Sequence, residues 1–97
     1  MKLTRTDKEA IKEGDSNYIL NKGANYYMHK DYENAVKYYH LASTMGNDIA
    51  TSNLGYCYLY GRSVEADTEL AITYFELASQ NNNVDACYKL GDIYSSD

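Results

Sequence analysis

The sequence predicts an all-α fold built from stacked helix-turn-helix repeats. Three observations lead there. From residue 31 onward one pattern is written twice at an offset of thirty-six. Asp31, Glu33, Ala35, Tyr38, Leu41, Ala42, Ser43, Asn47, Ala50, Leu54, Gly55 and Tyr58 recur as Asp67, Glu69, Ala71, Tyr74, Leu77, Ala78, Ser79, Asn83, Ala86, Leu90, Gly91 and Tyr94. Chance would match about two of the thirty-one pairs, and a period of this length marks a stacked-repeat architecture. Apolar residues recur at three and four positions along the chain. Finally, the chain has no proline to interrupt a helix.

Six helices follow in order. Thr6 and Glu9 have capping-box spacing, so a short first helix is expected to about residue 13, closed by Gly14. Asp15 or Ser16 can cap a second helix over 17–29, with Ile19, Leu20, Gly23, Tyr26 and Tyr27 on one face. Lys30 and Asp31 make the turn. Asp31 then caps a third helix over 32–45, whose buried stripe is Ala35, Val36, Tyr38, Tyr39, Leu41 and Ala42. Gly46-Asn47 stops it, because either residue takes left-handed backbone at low cost. A fourth helix spans 48–60 and ends at Gly61, and a loop over 61–66 leads to Asp67, the cap of a fifth helix over 68–80. Asn81-Asn82-Asn83 is the next stop. A sixth helix covers 84–94 with Ala86, Cys87, Leu90, Gly91 and Tyr94 on one face. Gly55 and Gly91 sit inside helices, where glycine costs about 1 kcal/mol relative to alanine. That cost at equivalent positions of both copies implies close helix contact at each.

Ninety-seven residues make one small domain, divided here into a helical extension over 1–14 and a repeat domain over 15–97. The net charge of −5 and the pI near 4.8 argue against nucleic acid or an anionic membrane surface as partner. No apolar run approaches the roughly 18 residues needed to span a bilayer. The basic start at Met1-Lys2 has no apolar stretch behind it, so no signal peptide is read and a cytoplasmic location is expected. Cys57 and Cys87 are too few for a disulfide framework. Twelve tyrosines beside one phenylalanine suit thin layers, where a buried ring can still keep its hydroxyl in water, and they suit binding surfaces equally.

No catalytic constellation emerges. His29 and His40 fall on different helices with no Cys, Asp or Glu at ligand spacing, so both read as solvated surface residues and no metal is expected. There is no nucleophile elbow and no phosphate-binding glycine loop, hence no cofactor. The carboxylates cluster at helix starts, where they complement the helix dipole.

The residues also carry a family resemblance. Gly23-Ala24-Asn25-Tyr26-Tyr27, Asp31-Tyr32-Glu33-Asn34-Ala35, Tyr38-Tyr39 and Ala42 resemble a tetratricopeptide repeat. Ala50, Leu54-Gly55-Tyr56-Cys57-Tyr58, Gly61, Val64, Asp67, Ala71, Tyr74-Phe75 and Ala78 resemble the Sel1-like repeat, a relative with a slightly longer loop. The stretch from Asp85 to Tyr94 is similar to the first helix of another such unit. The resemblance implies about two and a half repeats wound into a right-handed α-α superhelix. A secreted branch of the Sel1-like family bonds a cysteine at the Cys87 position to one at the position of Ser79 here, so that bridge is not expected.

The resemblance further implies a concave face lined by the first helix of each repeat, on which a peptide or partner protein lies. Asn17, Leu20, Ala24, Tyr27 and Met28 would come from the first repeat, and Ile49, Ser52, Asn53, Tyr56, Leu59 and Tyr60 from the second. Asp85, Tyr88, Lys89 and Asp92 would come from the last helix. Asn53 and Lys89 fall at two positions of the carboxylate clamp found in some tetratricopeptide proteins, but Leu20, Ala24 and Asp85 occupy others, so no clamp is expected. Protein or peptide binding is therefore the expected function. The alternatives are a self-assembling scaffold, or a fragment of a longer repeat array, that pairs through its last helix, read as a cap or a truncated repeat with Tyr88 and Ile93 left exposed, and a small hydrolase-like or ligand-binding activity.

Overall fold

The computed structural model describes residues 2–95. Among them lie six helices and no strand: α1 (Arg5–Glu13), α2 (Ser16–Met28), α3 (Tyr32–Thr44), α4 (Asp48–Tyr60), α5 (Thr68–Ser79) and α6 (Val84–Tyr94). Each begins with a short polar side chain that accepts a hydrogen bond from a backbone N–H of the first turn. These caps are Thr4, Asp15, Asp31, Asn47, Asp67 and Asn83. Each helix packs against the next in the chain, so the six form an all-α helical repeat consistent with an α-α superhelix, about 47 Å along its longest dimension.

The turns before α2, α4 and α6 are built alike. The N–H of Asp15, Asn47 and Asn83 donates to the carbonyl of Ala10, Ala42 and Ala78, at 2.8, 3.0 and 3.3 Å. Those three alanines are buried, and the residue before each cap, Gly14, Gly46 or Asn82, has left-handed backbone. Thus α1 closes onto the repeats in the same way as α3 and α5. From the first repeat to the second, the first helices are offset by thirty-two residues and the second helices by thirty-six. The four extra residues lie in the loop between Gly61 and Asp67, which Asp67 fastens by donating its N–H to the Tyr58 carbonyl at 2.8 Å.

Two glycines hold paired helices together. A Cβ added at Gly23 would stand 2.9 Å from the Tyr39 ring, and one at Gly55 would stand 2.7 Å from the Phe75 ring. Both rings are buried, so neither can move aside. Gly91 differs from the expectation of close contact, since an added Cβ there meets nothing within 4 Å among the described residues.

The core is layered. Ile19, Leu20, Val36, Tyr38, Tyr39, Leu54 and Cys57 form the larger cluster with Ala10, Ala35, Ala42 and Ala50. Ala71, Phe75, Ala78 and Ala86 form a second cluster, against which Leu90 and Ile93 pack. Leu54 and Leu90 therefore both face the preceding layer. Leu90 is half-buried, with no helix packed on it after α6 among the described residues, whereas Ile93, expected to be exposed, is half-buried by this packing.

Two side chains depart from the sequence expectation through long-range contacts. The capping box of α1 is Thr4 with Asp7, and Glu9 instead pairs with Arg5 in solvent. The register shifts because Asp7 is fully buried and holds three donors: the Tyr38 hydroxyl at 2.6 Å, the Lys22 ammonium at 2.7 Å and the Thr4 N–H at 3.0 Å. His40 is not solvated. It lies half-buried, edge-on to the Tyr58 and Tyr74 rings with Nε2 3.3 Å from the Tyr58 hydroxyl, and burial lowers its pKa.

Two outcomes follow for stability. Gly55→Ala lowers it by about 1–3 kcal/mol through overpacking against Phe75, while Gly91→Ala raises it by about 0.5–1 kcal/mol by removing glycine's excess freedom; urea unfolding reads both, and equal effects would contradict the packing described. At Asp7, burial alone would raise the carboxyl pKa, but the bonds from Lys22, Tyr38 and Thr4 outweigh it and hold it at about 2, below the ordinary 3.8. The ionised group therefore stabilises the fold above about pH 4, and that stabilisation is lost as pH falls towards 2. Asp7→Asn is expected to cost about 2–3 kcal/mol at neutral pH, with the difference from wild type narrowing between pH 4 and 2; a difference independent of pH in that range would rule out this role.

Candidate functional site

The site begins with the spacing of the first helices. At their N-termini, Asn47 Nδ2 donates to Asn17 Oδ1 at 3.0 Å and to Ser16 Oγ at 3.1 Å, and Asn83 Nδ2 donates to Asp48 Oδ2 at 3.1 Å. The same asparagine that caps each helix thus ties it to the one before. Further along α2 and α4, away from these ties, a hollow of about 230 Å³ opens between the helices, lined by Tyr27, Tyr39, Asn53 and Tyr56.

Each lining side chain has a distinct support. Tyr27 of α2 lies edge-on to Tyr32, with ring centroids 4.9 Å apart. Tyr56 of α4 meets Phe75 edge-on at 5.0 Å and stacks on Tyr60 at 6.3 Å. Tyr39 comes from α3 and forms the floor, its ring resting on Gly23 and only 4 % exposed. Burial, reinforced by the neighbouring Cys57 and Tyr27, pushes its hydroxyl up to about 12, so it stays protonated. That hydroxyl has no hydrogen-bond partner among the described residues, and neither has the Asn53 amide. Among the described residues no fully buried polar side-chain atom lacks a partner, so the Tyr39 oxygen must reach the solvent, for which the hollow it lines is the outlet.

A second, shallower hollow of about 320 Å³ adjoins α6 and is lined by Leu59, Tyr60, Thr68, Lys89, Asp92 and Ile93. The Lys89 ammonium donates to the Tyr60 hydroxyl at 3.0 Å and to Asp92 at 3.2 Å, and it stands 5.6 Å over the Tyr60 ring. The hydrogen bonds to Tyr60 and Asp92 raise its pKa.

The profile of one protein family, the Sel1 repeat, matches residues 14–47, 49–83 and 84–96. This chain belongs to the Sel1 repeat family. Sel1 repeats mediate protein–protein interaction. The first match takes in α2 and α3, the pair whose residues also resemble a tetratricopeptide repeat, the second takes in α4 and α5, and the third α6. No curated protein matches the chain. The tyrosine hollow therefore lies between the first two Sel1 repeats, and the shallower one between the second and the third.

The residues expected on a concave face separate into groups. Tyr27, Asn53 and Tyr56 come together in the first hollow, and Leu59, Tyr60 and Lys89 in the second. Asn17 is engaged at the N-terminal tie, Ala24 is half-buried, and Ile49 and Met28 are exposed at the start of α4 and the end of α2. Leu20 and Ser52 are corrections: they are 7 % and 3 % exposed and offer a partner nothing. Each stands three residues before Gly23 or Gly55, on the helix face that meets the paired helix. Tyr88 stands at the same register before Gly91, so it too faces away from the tyrosine hollow, beside Cys87, Gly91 and Ser95. Tyr39 was missed as a lining residue because its helical phase reads as core, which it is. Phe75 at its equivalent position was the available signal, since a hydroxyl in place of a bare ring requires an outlet.

Among the described residues no group of three or more His, Cys, Asp or Glu could hold a metal, and no helix is long and apolar enough to cross a membrane. Cys57 is buried, which raises its thiol to about 11, and Cys87 is exposed.

Proposed function

We propose that this chain binds a protein or peptide through the tyrosine hollow between its first two Sel1 repeats. The observation that carries the reading is the pair of unpaired polar groups, the Tyr39 hydroxyl and the Asn53 amide, set among ring walls at a place the repeat leaves open. Its volume of about 230 Å³ is below that of a drug-sized ligand site, so the fit is to one side chain of a longer segment. The neighbouring hollow at Leu59, Tyr60 and Lys89 would extend the contact along the same side. Buried tyrosines of this kind concentrate binding energy at interfaces.

A second reading rests on α6. Val84, Tyr88 and Tyr94 are 79 %, 78 % and 61 % exposed around Gly91, which in α2 and α4 is the position that receives a ring. A second copy of this chain could supply Tyr88 or Tyr94 to that bare backbone in an antiparallel, two-fold related pair.

The first reading is tested with proteins retained on the immobilised chain. Tyr27→Ala and Tyr56→Ala are each expected to weaken retention at least about tenfold, with Thr73→Ala unchanged; full binding by helical, folded variants of both tyrosines would defeat it. For the second, light scattering should show a concentration-dependent dimer that Tyr88→Glu abolishes, and a strict monomer at millimolar concentration removes it.

A further inference from the structure

Resting on the reading of the tyrosine hollow as the partner site, we infer that its occupant is the cationic head of an arginine or lysine side chain in a basic segment of the partner. The hollow offers cation acceptors of two kinds. Tyr27 and Tyr56 line it with aromatic rings, and the negative quadrupole of a tyrosine ring attracts a cation. The Tyr39 hydroxyl oxygen and the Asn53 carbonyl oxygen are free to accept N–H bonds, and the Tyr39 oxygen, on a residue only 4 % exposed, has the hollow as its outlet.

The molecule already makes this choice three times within itself. Lys22 stands 5.2 Å over the Tyr38 ring, Arg62 stands 5.2 Å over Tyr32, and Lys89 lies 5.6 Å over Tyr60 and 6.0 Å over Tyr56. Lys89 is the closest parallel, because it occupies the outer end of the same tyrosine row and takes the Tyr60 hydroxyl as its acceptor at 3.0 Å. Its own charge is balanced by Asp92 at 3.2 Å, so it does not exclude a second cation. After burial, Asp85 and then Asp92 help raise the Tyr56 pKa against the opposing charge of Lys89, so two carboxylates face one ammonium near that ring. A chain of net charge −5 favours the approach of a basic segment. An anionic head would face ring quadrupoles and carboxylates, and an aliphatic one would leave the two polar groups unpaired.

The test is a titration of the isotope-labelled 97-residue chain by two-dimensional amide NMR. The probes are N-acetylarginine amide, its uncharged isostere N-acetylcitrulline amide, N-acetyl-leucine amide and N-acetylglutamate amide. The arginine probe should shift the amides of Asn53 and Tyr56, bind about tenfold more tightly than citrulline, and weaken with added salt. Tyr56→Phe should retain binding and Tyr56→Leu lose at least about fivefold, while Lys89→Met should strengthen it. Citrulline or leucine binding the hollow as well as arginine overturns the cationic assignment and leaves a partner groove of other chemistry. Silence from every probe at the hollow also overturns it, whereas the groove itself stands or falls on the alanine variants above. Capture of the glutamate probe would reverse the sign of the partner.

Discussion

Tyrosine and phenylalanine rings resting on bare glycine backbone set the spacing on which the rest of the molecule depends. Tyr39 over Gly23 and Phe75 over Gly55 bring each second helix as close to its first helix as two backbones with one ring between them allow. A helix pair held that tightly is one layer thick and cannot bury its own apolar side, so it must borrow a neighbour. The two core clusters are the result, each built from residues of adjacent pairs. Because the ring fills the space between the paired helices, what remains open is the space between successive first helices. The hollow at Tyr27, Tyr39, Asn53 and Tyr56 is thus a by-product of the packing, and it needs no dedicated loop.

Polar side chains then fix how the layers are aligned. Asn47 and Asn83 each cap a helix with Oδ1 and reach the preceding first helix with Nδ2, so one residue type does both tasks at both junctions. An aspartate could cap as well but has no donor for the second bond. At the other end of the row, Asp7 ties α1 to Lys22 of α2 and Tyr38 of α3. A buried ion pair of this kind supports one arrangement more than it adds stability, because desolvation offsets much of the attraction.

Much of the fold was legible in the sequence because its signals are local. Caps, left-handed stops and apolar periodicity placed all six helices to within a residue or two, and the internal repeat placed them in layers. The exceptions share one cause. Thr4 was overlooked as the cap of α1, and His40 was read as solvated, because their settings depend on residues far away in sequence: Lys22 and Tyr38 around Asp7, and Tyr58 and Tyr74 around His40. At the candidate site, Tyr27, Asn53 and Tyr56 could be named from the family resemblance. Leu20, Ser52 and Tyr88 could not be told from them without knowing which side of each first helix the second helix covers. One residue of helical rotation, about 100°, separates Ser52 in the core from Asn53 in the hollow.

The manner in which α1 sits on α2 has a consequence for how the stack is counted. Its Ala10–Gly14–Asp15 turn repeats the geometry that joins α3 to α4 and α5 to α6, so α1 stands to α2 as the second helix of one repeat stands to the first helix of the next. The unit that recurs intact among the described residues is therefore this junction, an alanine carbonyl and a left-handed residue closing one helix onto the cap of the following one, and the family's helix pair is the interval between two such junctions.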